Sequence, residues 1–132
     1  MKRIILSMVL IGMLFLVGCQ VYEEPQIAKG KAILRAEMYQ LAINELDTTE
    51  MFFSYWVYNY GDIEAKNIKV NCKLLDGNYS VLKTVSDDYR NLASNSIEFR
   101  EVTFKKPNDL KEDTLTTGMC YVLSCSNCDI LY

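Results

Sequence analysis

Five cysteines and no histidine bound the chemistry open to this chain of 132 residues. Cys19 follows an apolar run near the N-terminus, Cys72 stands alone, and Cys120, Cys125 and Cys128 cluster near the C-terminus. Four thiols spaced like the last four admit three uses. They pair as disulfides, they hold a tetrahedral metal as thiolates, or Cys125-Ser126-Asn127-Cys128 works as a redox Cys-x-x-Cys. A bridge between Cys125 and Cys128 is sterically available across a two-residue turn, which leaves Cys72 and Cys120 to clip one core strand to a neighbour. No basic neighbour or helix start is evident there to lower a thiol pKa. Outside a reducing cytoplasm an even set of cysteines is a disulfide framework, so the expectation is disulfides with no metal and no cofactor. The absence of histidine removes most general-base, nucleophile–base and zinc-hydrolase arrangements. The acids Asp62, Glu64, Asp87, Asp88, Glu112 and Asp113 are scattered in or near expected loops, without the density of a calcium loop. No catalytic constellation assembles, and the chain is expected not to be an enzyme.

The elements that carry these residues read as strands. Ile33 to Leu46 has helical composition but ends in Asp-Thr-Thr before an evident strand, and is assigned to a strand. Met51 to Tyr60 (MFFSYWVYNY) is nearly all aromatic or β-branched and stops at Gly61-Asp62. Asn67 to Leu75 alternates, with Ile68, Val70, Cys72 and Leu74 on one face and Lys69, Asn71 and Lys73 on the other. After a turn at Asp76-Gly77-Asn78, Tyr79 to Val85 reads as an edge strand that the following acids cut short. Ser96 to Phe104 changes parity, so a bulge near Arg100-Glu101 is expected to turn Ile97, Phe99, Val102 and Phe104 all inward. Met119 to Ser124 and Asp129 to Tyr132 are expected to close a hairpin across Ser126-Asn127, with Leu123 opposite Ile130 and Tyr121 opposite Tyr132. Seven or so short strands without a convincing helix describe an all-β sandwich over residues 31–132. If Met51, Phe53, Tyr55 and Val57 face the core, parity sends Phe52, Trp56, Tyr58 and Tyr60 outward. That row is the candidate binding surface, suited to stacking on a carbohydrate or anchoring a protein.

The N-terminus reads as an address. Lys2 and Arg3 precede an apolar run from Ile4 to Val17, and Gly18 follows. A cationic start, a short apolar core and a small residue at the boundary define a secretory signal. The run is shorter than the roughly 20 residues needed to span a bilayer. Residues 1–18 are therefore expected to form a signal peptide helix, with 19–30 as a tether ahead of the domain. Removing that signal takes away two basic residues and leaves 12 basic against 17 acidic side chains, a net −5 over 114 residues. No basic stripe remains, and nucleic acid is not an expected partner.

Two resemblances sharpen the reading. Leu16-Val17-Gly18-Cys19 resembles the lipobox of prokaryotic lipoprotein signal peptides. That resemblance implies a diacylglyceryl thioether on Cys19, cleavage after Gly18, and a domain held on the outer side of a cell membrane by lipid. Two acyl chains, each gaining about 0.8 kcal/mol per buried methylene, suffice for stable anchorage. Val57 to Asp76 (VYNYGDIEAKNIKVNCKLLD) is similar to the core of FxLYD and CARDB-type modules, which are immunoglobulin-like domains of envelope proteins. The similarity includes a Val-x-Asn-x-Gly corner at Val57, Asn59 and Gly61, and extends more weakly over LASNSIEFREVTF. It implies an immunoglobulin-like sandwich with Val57 inward, hence Trp56 outward; the expected non-catalytic binding role, or alternatively a spacer role, comes from the aromatic row and the lack of a catalytic constellation.

Cys19→Ser is expected to leave the precursor unlipidated and uncut at Gly18. Mass spectrometry of the mature N-terminus checks this, and a free Cys19 thiol on wild-type mature protein contradicts it.

Overall fold

The protein's structure, a computed structural model, describes residues 29–111 and 115–132. The expected signal peptide, Cys19, the tether as far as residue 28, and the acids Glu112 and Asp113 lie outside the described residues. Seven strands follow in order: β1 Ala32–Ile43, β2 Glu50–Asn59, β3 Ala65–Leu75, β4 Val81–Leu92, β5 Ser96–Lys105, β6 Thr117–Ser124 and β7 Cys128–Ile130. They form two sheets, β5-β2-β1-β7 and β4-β3-β6. The fold is an all-β sandwich, as the strand pattern implies. Pairing β2 with β5 and β3 with β6 reproduces the central pairs of the immunoglobulin arrangement.

The alternating runs explain the layers. Met51, Phe53, Tyr55 and Val57 of β2 and Ile68, Val70, Cys72 and Leu74 of β3 are all buried, and they face each other across the sandwich. Phe53 stacks on Phe104 at 5.0 Å between ring centroids. Each large apolar side chain removed from water in this way contributes about 1.5–3 kcal/mol.

One corner ties the layers together. Asn59 is buried, and its side chain bonds five backbone groups. Its Oδ1 accepts from Ile33 N–H at 3.2 Å and Gly61 N–H at 3.0 Å. Its Nδ2 donates to the carbonyls of Ile63, Leu92 and Ala93 at 2.9, 3.2 and 3.1 Å. The start of β1, the turn after β2 and the end of β4 thus converge on one amide. Gly61 lets them approach, since a Cβ there would run into the Lys31 carbonyl oxygen. Beside it, the Asp62 carboxylate accepts from Gly30 N–H at 2.8 Å and Lys31 N–H at 3.1 Å, and these bonds hold its pKa below the usual range.

Three expectations are corrected. First, β5 carries no bulge, because its pairing with β2 runs unbroken from Glu50↔Lys105 to Asn59↔Ser96. Val102 and Phe104 turn inward, but Ile97 and Phe99 turn outward with exposures of 60% and 45%. The inward positions that a bulge would have given them belong to Glu98 and Arg100, which find charged partners there. Register shifts lie elsewhere, in β1 between Met38 and Gln40 and in β3 at Lys69/Val70 and Leu74/Leu75. Second, β4 does not stop at the acids but continues to Leu92. Asp87 faces inward from it and is satisfied by Arg100, so its charge does not end the pairing. Third, β6 and β7 do not form a hairpin. β7 crosses to the other sheet and pairs parallel with β1, with Ala32↔Cys128 and Leu34↔Ile130. Asn127 holds the crossing in place, accepting from Lys66 N–H at 2.9 Å and donating to the Glu64 carbonyl at 2.8 Å.

Asn59→Ala should lower stability by about 2–4 kcal/mol, because several buried backbone groups lose their only side-chain partner. The denaturant midpoint of unfolding measures it, and an unchanged midpoint contradicts the corner's role.

Candidate surface and the four cysteines

The outer face of the β5-β2-β1-β7 sheet gathers the aromatic residues. Trp56 lies between Glu37 of β1 and Phe99 of β5, and Tyr58 lies between Arg35 and Ile97. The Trp56 and Phe99 rings are 4.9 Å apart at a tilt of 59°. Tyr39, at the β1 register shift, meets Phe99 edge-on at 6.1 Å and is 66% exposed. Tyr58 and Tyr60 stack with parallel rings at 5.6 Å. Of the four residues singled out from sequence, Trp56 and Tyr60 are exposed while Phe52 and Tyr58 are half-buried, all on this face. Three further members, Tyr39, Ile97 and Phe99, escape the sequence reading. The signal for Ile97 and Phe99 is plain strand alternation, which the supposed bulge obscured.

The two sheets differ in what they show to solvent. The outer face of β4-β3-β6 carries Lys69, Asn71 and Lys73, with Lys69 against Asp88 at 3.4 Å and Asn71 bonded to Ser86. Of the large apolar groups there, Tyr121 sits under the Lys73 ammonium at 5.1 Å. Met119 and Leu123 of β6 are exposed on the same face, scattered among these polar groups. The aromatic face has the exposed Arg35–Glu37 pair beside its rings, with Glu101 and Lys105 farther along β5.

β5 is inverted for an edge strand. Its inward side carries Glu98 and Arg100 as well as Val102 and Phe104, while its outward side carries Ile97 and Phe99. Arg100 makes two hydrogen bonds to Asp87, at 3.2 and 3.1 Å, and a third to Glu98 at 3.3 Å. Tyr55 Oη donates to the same Asp87, and the guanidinium lies 4.5 Å above the Tyr89 ring. This cluster closes the β4/β5 side of the sandwich. Inward charges also discourage another sheet from adding at β5. Burial first, then the Asp87 carboxylate, pushes the Tyr55 phenol well up. Burial first, then Glu98, does the same to Tyr89. Among the described residues the Tyr89 hydroxyl has no hydrogen-bond partner.

The cysteines meet in two pairs. Cys72 and Cys120 are directly opposite on β3 and β6, with Cα atoms 4.1 Å apart. Cys125 faces Cys128 across the crossing between the sheets, with Cα atoms 5.9 Å apart. Both arrangements allow a disulfide. Neither brings the four sulfurs to one point, and among the described residues no group of three or more His, Cys, Asp or Glu is placed to hold a metal. Among the described residues no helix is long and apolar enough to cross a membrane. Compared with known proteins, the chain matches no family model, no curated protein and no solved structure.

Both buried phenols favour the neutral form in the folded chain. Their contribution to stability is present in full below the unfolded phenol pKa of about 10 and is lost as pH rises beyond it. Tyr89→Phe should be neutral or slightly stabilising at pH 7, since it removes an unpaired buried hydroxyl, and should soften the alkaline decline. Unfolding midpoints across that pH range test both effects. A large loss for Tyr89→Phe at neutral pH contradicts the assignment.

Proposed function

We propose that this protein is a lipid-anchored envelope lipoprotein whose sandwich acts as a non-catalytic binding module. Cys19, in its lipobox-like setting, carries the anchor, and the domain lies on the extracytoplasmic side of the cell membrane. The resemblance of Val57 to Asp76 to FxLYD and CARDB-type modules supports an envelope role. The observation that carries the binding reading is the aromatic face left open among the described residues. Trp56 and Phe99 pack across two strands, with Tyr39 and Ile97 beside them, while the opposite sheet mixes lysines and polar groups with Met119 and Leu123. Aromatic residues at the centre of a patch are where binding energy concentrates. The ligand is a protein or a carbohydrate of the envelope, because a flat face of rings serves either one. No nucleic acid enters this reading, since the mature chain is acidic.

Both cysteine pairs are oxidised in this setting, each bridge contributing about 2–4 kcal/mol. Thiol counting on denatured, unreduced protein is expected to find no free thiol among Cys72, Cys120, Cys125 and Cys128. Four free thiols with stoichiometric zinc overturn that assignment.

The decisive comparison pairs Trp56→Ala and Phe99→Ala with Val57→Ala. Val57→Ala opens a cavity in the core and should cost a few kcal/mol. The two surface truncations should shift the unfolding midpoint little, yet each should reduce retention of the domain on envelope polysaccharide or envelope protein by about tenfold. Undiminished retention on both materials favours the alternative role, a rigid spacer or accessory subunit of a membrane or cell-surface complex.

A further inference from the structure

Where β2 ends, the aromatic face dips into a pocket of about 210 Å³ lined by Tyr58, Asn59, Tyr60, Asn95, Ser96 and Ile97. The Tyr58 and Tyr60 rings stack with parallel planes 5.6 Å apart and act together as one aromatic wall. Ile97 of β5 is the neighbour of Tyr58 across the ladder and adds an aliphatic surface. Asn95 and Ser96, where the β4–β5 turn enters β5, supply the polar rim.

The backbone fixes that turn and leaves the side chains of the rim uncommitted. Asn95 holds a left-handed conformation, φ 48°, and its N–H donates to the Gly61 carbonyl at 3.1 Å. The Asn59 corner beneath it is bonded without the Asn95 amide, which can therefore both donate and accept at the mouth. The Ser96 hydroxyl donates to the Ala93 carbonyl and keeps its lone pairs for a donor from outside. The charges at this end are matched within the protein. Arg35, the β1 neighbour of Tyr58, pairs with Glu37 at 2.8 Å, and Lys31 pairs with Asp129 at 3.0 Å.

We infer that this pocket takes one pyranose unit of a neutral envelope polysaccharide, whose neighbouring units run over Trp56 and Phe99. The inference rests on the binding reading of the aromatic face and narrows its ligand to one class. A pyranose has an apolar C–H face and a rim of hydroxyls that donate and accept. Its apolar face suits the Tyr58–Tyr60 wall, and its hydroxyls meet Asn95, Ser96 and the two phenols. An apolar side chain from a protein partner would cover those polar groups and leave them without hydrogen bonds. An anionic unit would gain little, because Arg35 beside the rings is already paired. The outward residues from Trp56 to Tyr60 span about 13 Å along the strand, which puts rings under more than one unit of an extended chain.

The test is retention of the full-length protein on three immobilised materials from the cell's own envelope. These are neutral polysaccharide, acidic polysaccharide and protein stripped of glycans, in a detergent without a sugar headgroup. The protein should be retained on the neutral polysaccharide. Tyr60→Ala and Asn95→Gly should each weaken that retention by about tenfold. Glycine adopts the positive φ of position 95 freely, so Asn95→Gly removes the amide and leaves the turn in place. Its unfolding midpoint should stay close to that of the wild type. Retention on the protein fraction alone overturns the sugar pocket and leaves the binding reading of the face standing. Retention on none of the three overturns both. Retention on acidic polysaccharide alone overturns the neutral class. Undiminished retention of both variants on the neutral polysaccharide puts the ligand elsewhere and overturns the pocket as well.

Discussion

Ten residue pairs between β2 and β5, in register without a break, decide how this protein meets its surroundings. A strand pair that never slips keeps every side chain on the face that parity assigns. β2 is apolar on both faces, so one set of its side chains must lie outside the core. β5 then follows that parity at its own expense. It turns Arg100 and Glu98 toward the interior and Phe99 and Ile97 toward solvent. A single bulge would have reversed this and produced an ordinary half-solvated sheet.

The inverted edge strand is stable because its inward charges are satisfied. Arg100 and Asp87 form a two-bonded pair that also receives the Tyr55 hydroxyl, in a partly buried site where such bonds are stronger than at the surface. The cluster serves two ends, closing the β4/β5 side of the sandwich and leaving the outward positions of β5 free for aromatic residues. At the opposite side the two sheets are joined by the β6–β7 crossing, which Asn127 and the Cys125–Cys128 pair hold near β3 and β1. The Asn59 corner then fixes how the two layers meet.

Much of this is legible in the amino-acid sequence where one constraint acts alone. The alternation in β3 predicts its buried face residue by residue, and the aromatic β2 announces a strand buried on one side with a row to spare. Gly61 after Asn59 marks a corner where backbones touch. The failures occur where two constraints compete. In β5, hydrophobicity argued for four inward side chains, but inward charges with partners are invisible until β4 is in place. The same long-range pair explains why β4 outruns its acids. The β6–β7 hairpin had good cross-strand matches, yet a parallel pairing with β1, more than 90 residues away in the chain, satisfied the same groups. Tyr39 continues the outward row of Arg35 and Glu37 by plain alternation, a row that the helical composition of β1 obscured.

The account stands on the unbroken register of β5 and the outward aromatic face that follows from it. Through-space contacts of the Phe99 ring, measured by nuclear Overhauser spectroscopy on the folded domain, test that register most directly. The account predicts contacts from Phe99 to Trp56 and Tyr39 and none to the core ring of Phe53. Contacts from Phe99 to Phe53 or Val57, with Trp56 isolated from it, would show a bulged β5 with Phe99 inside, and would contradict it.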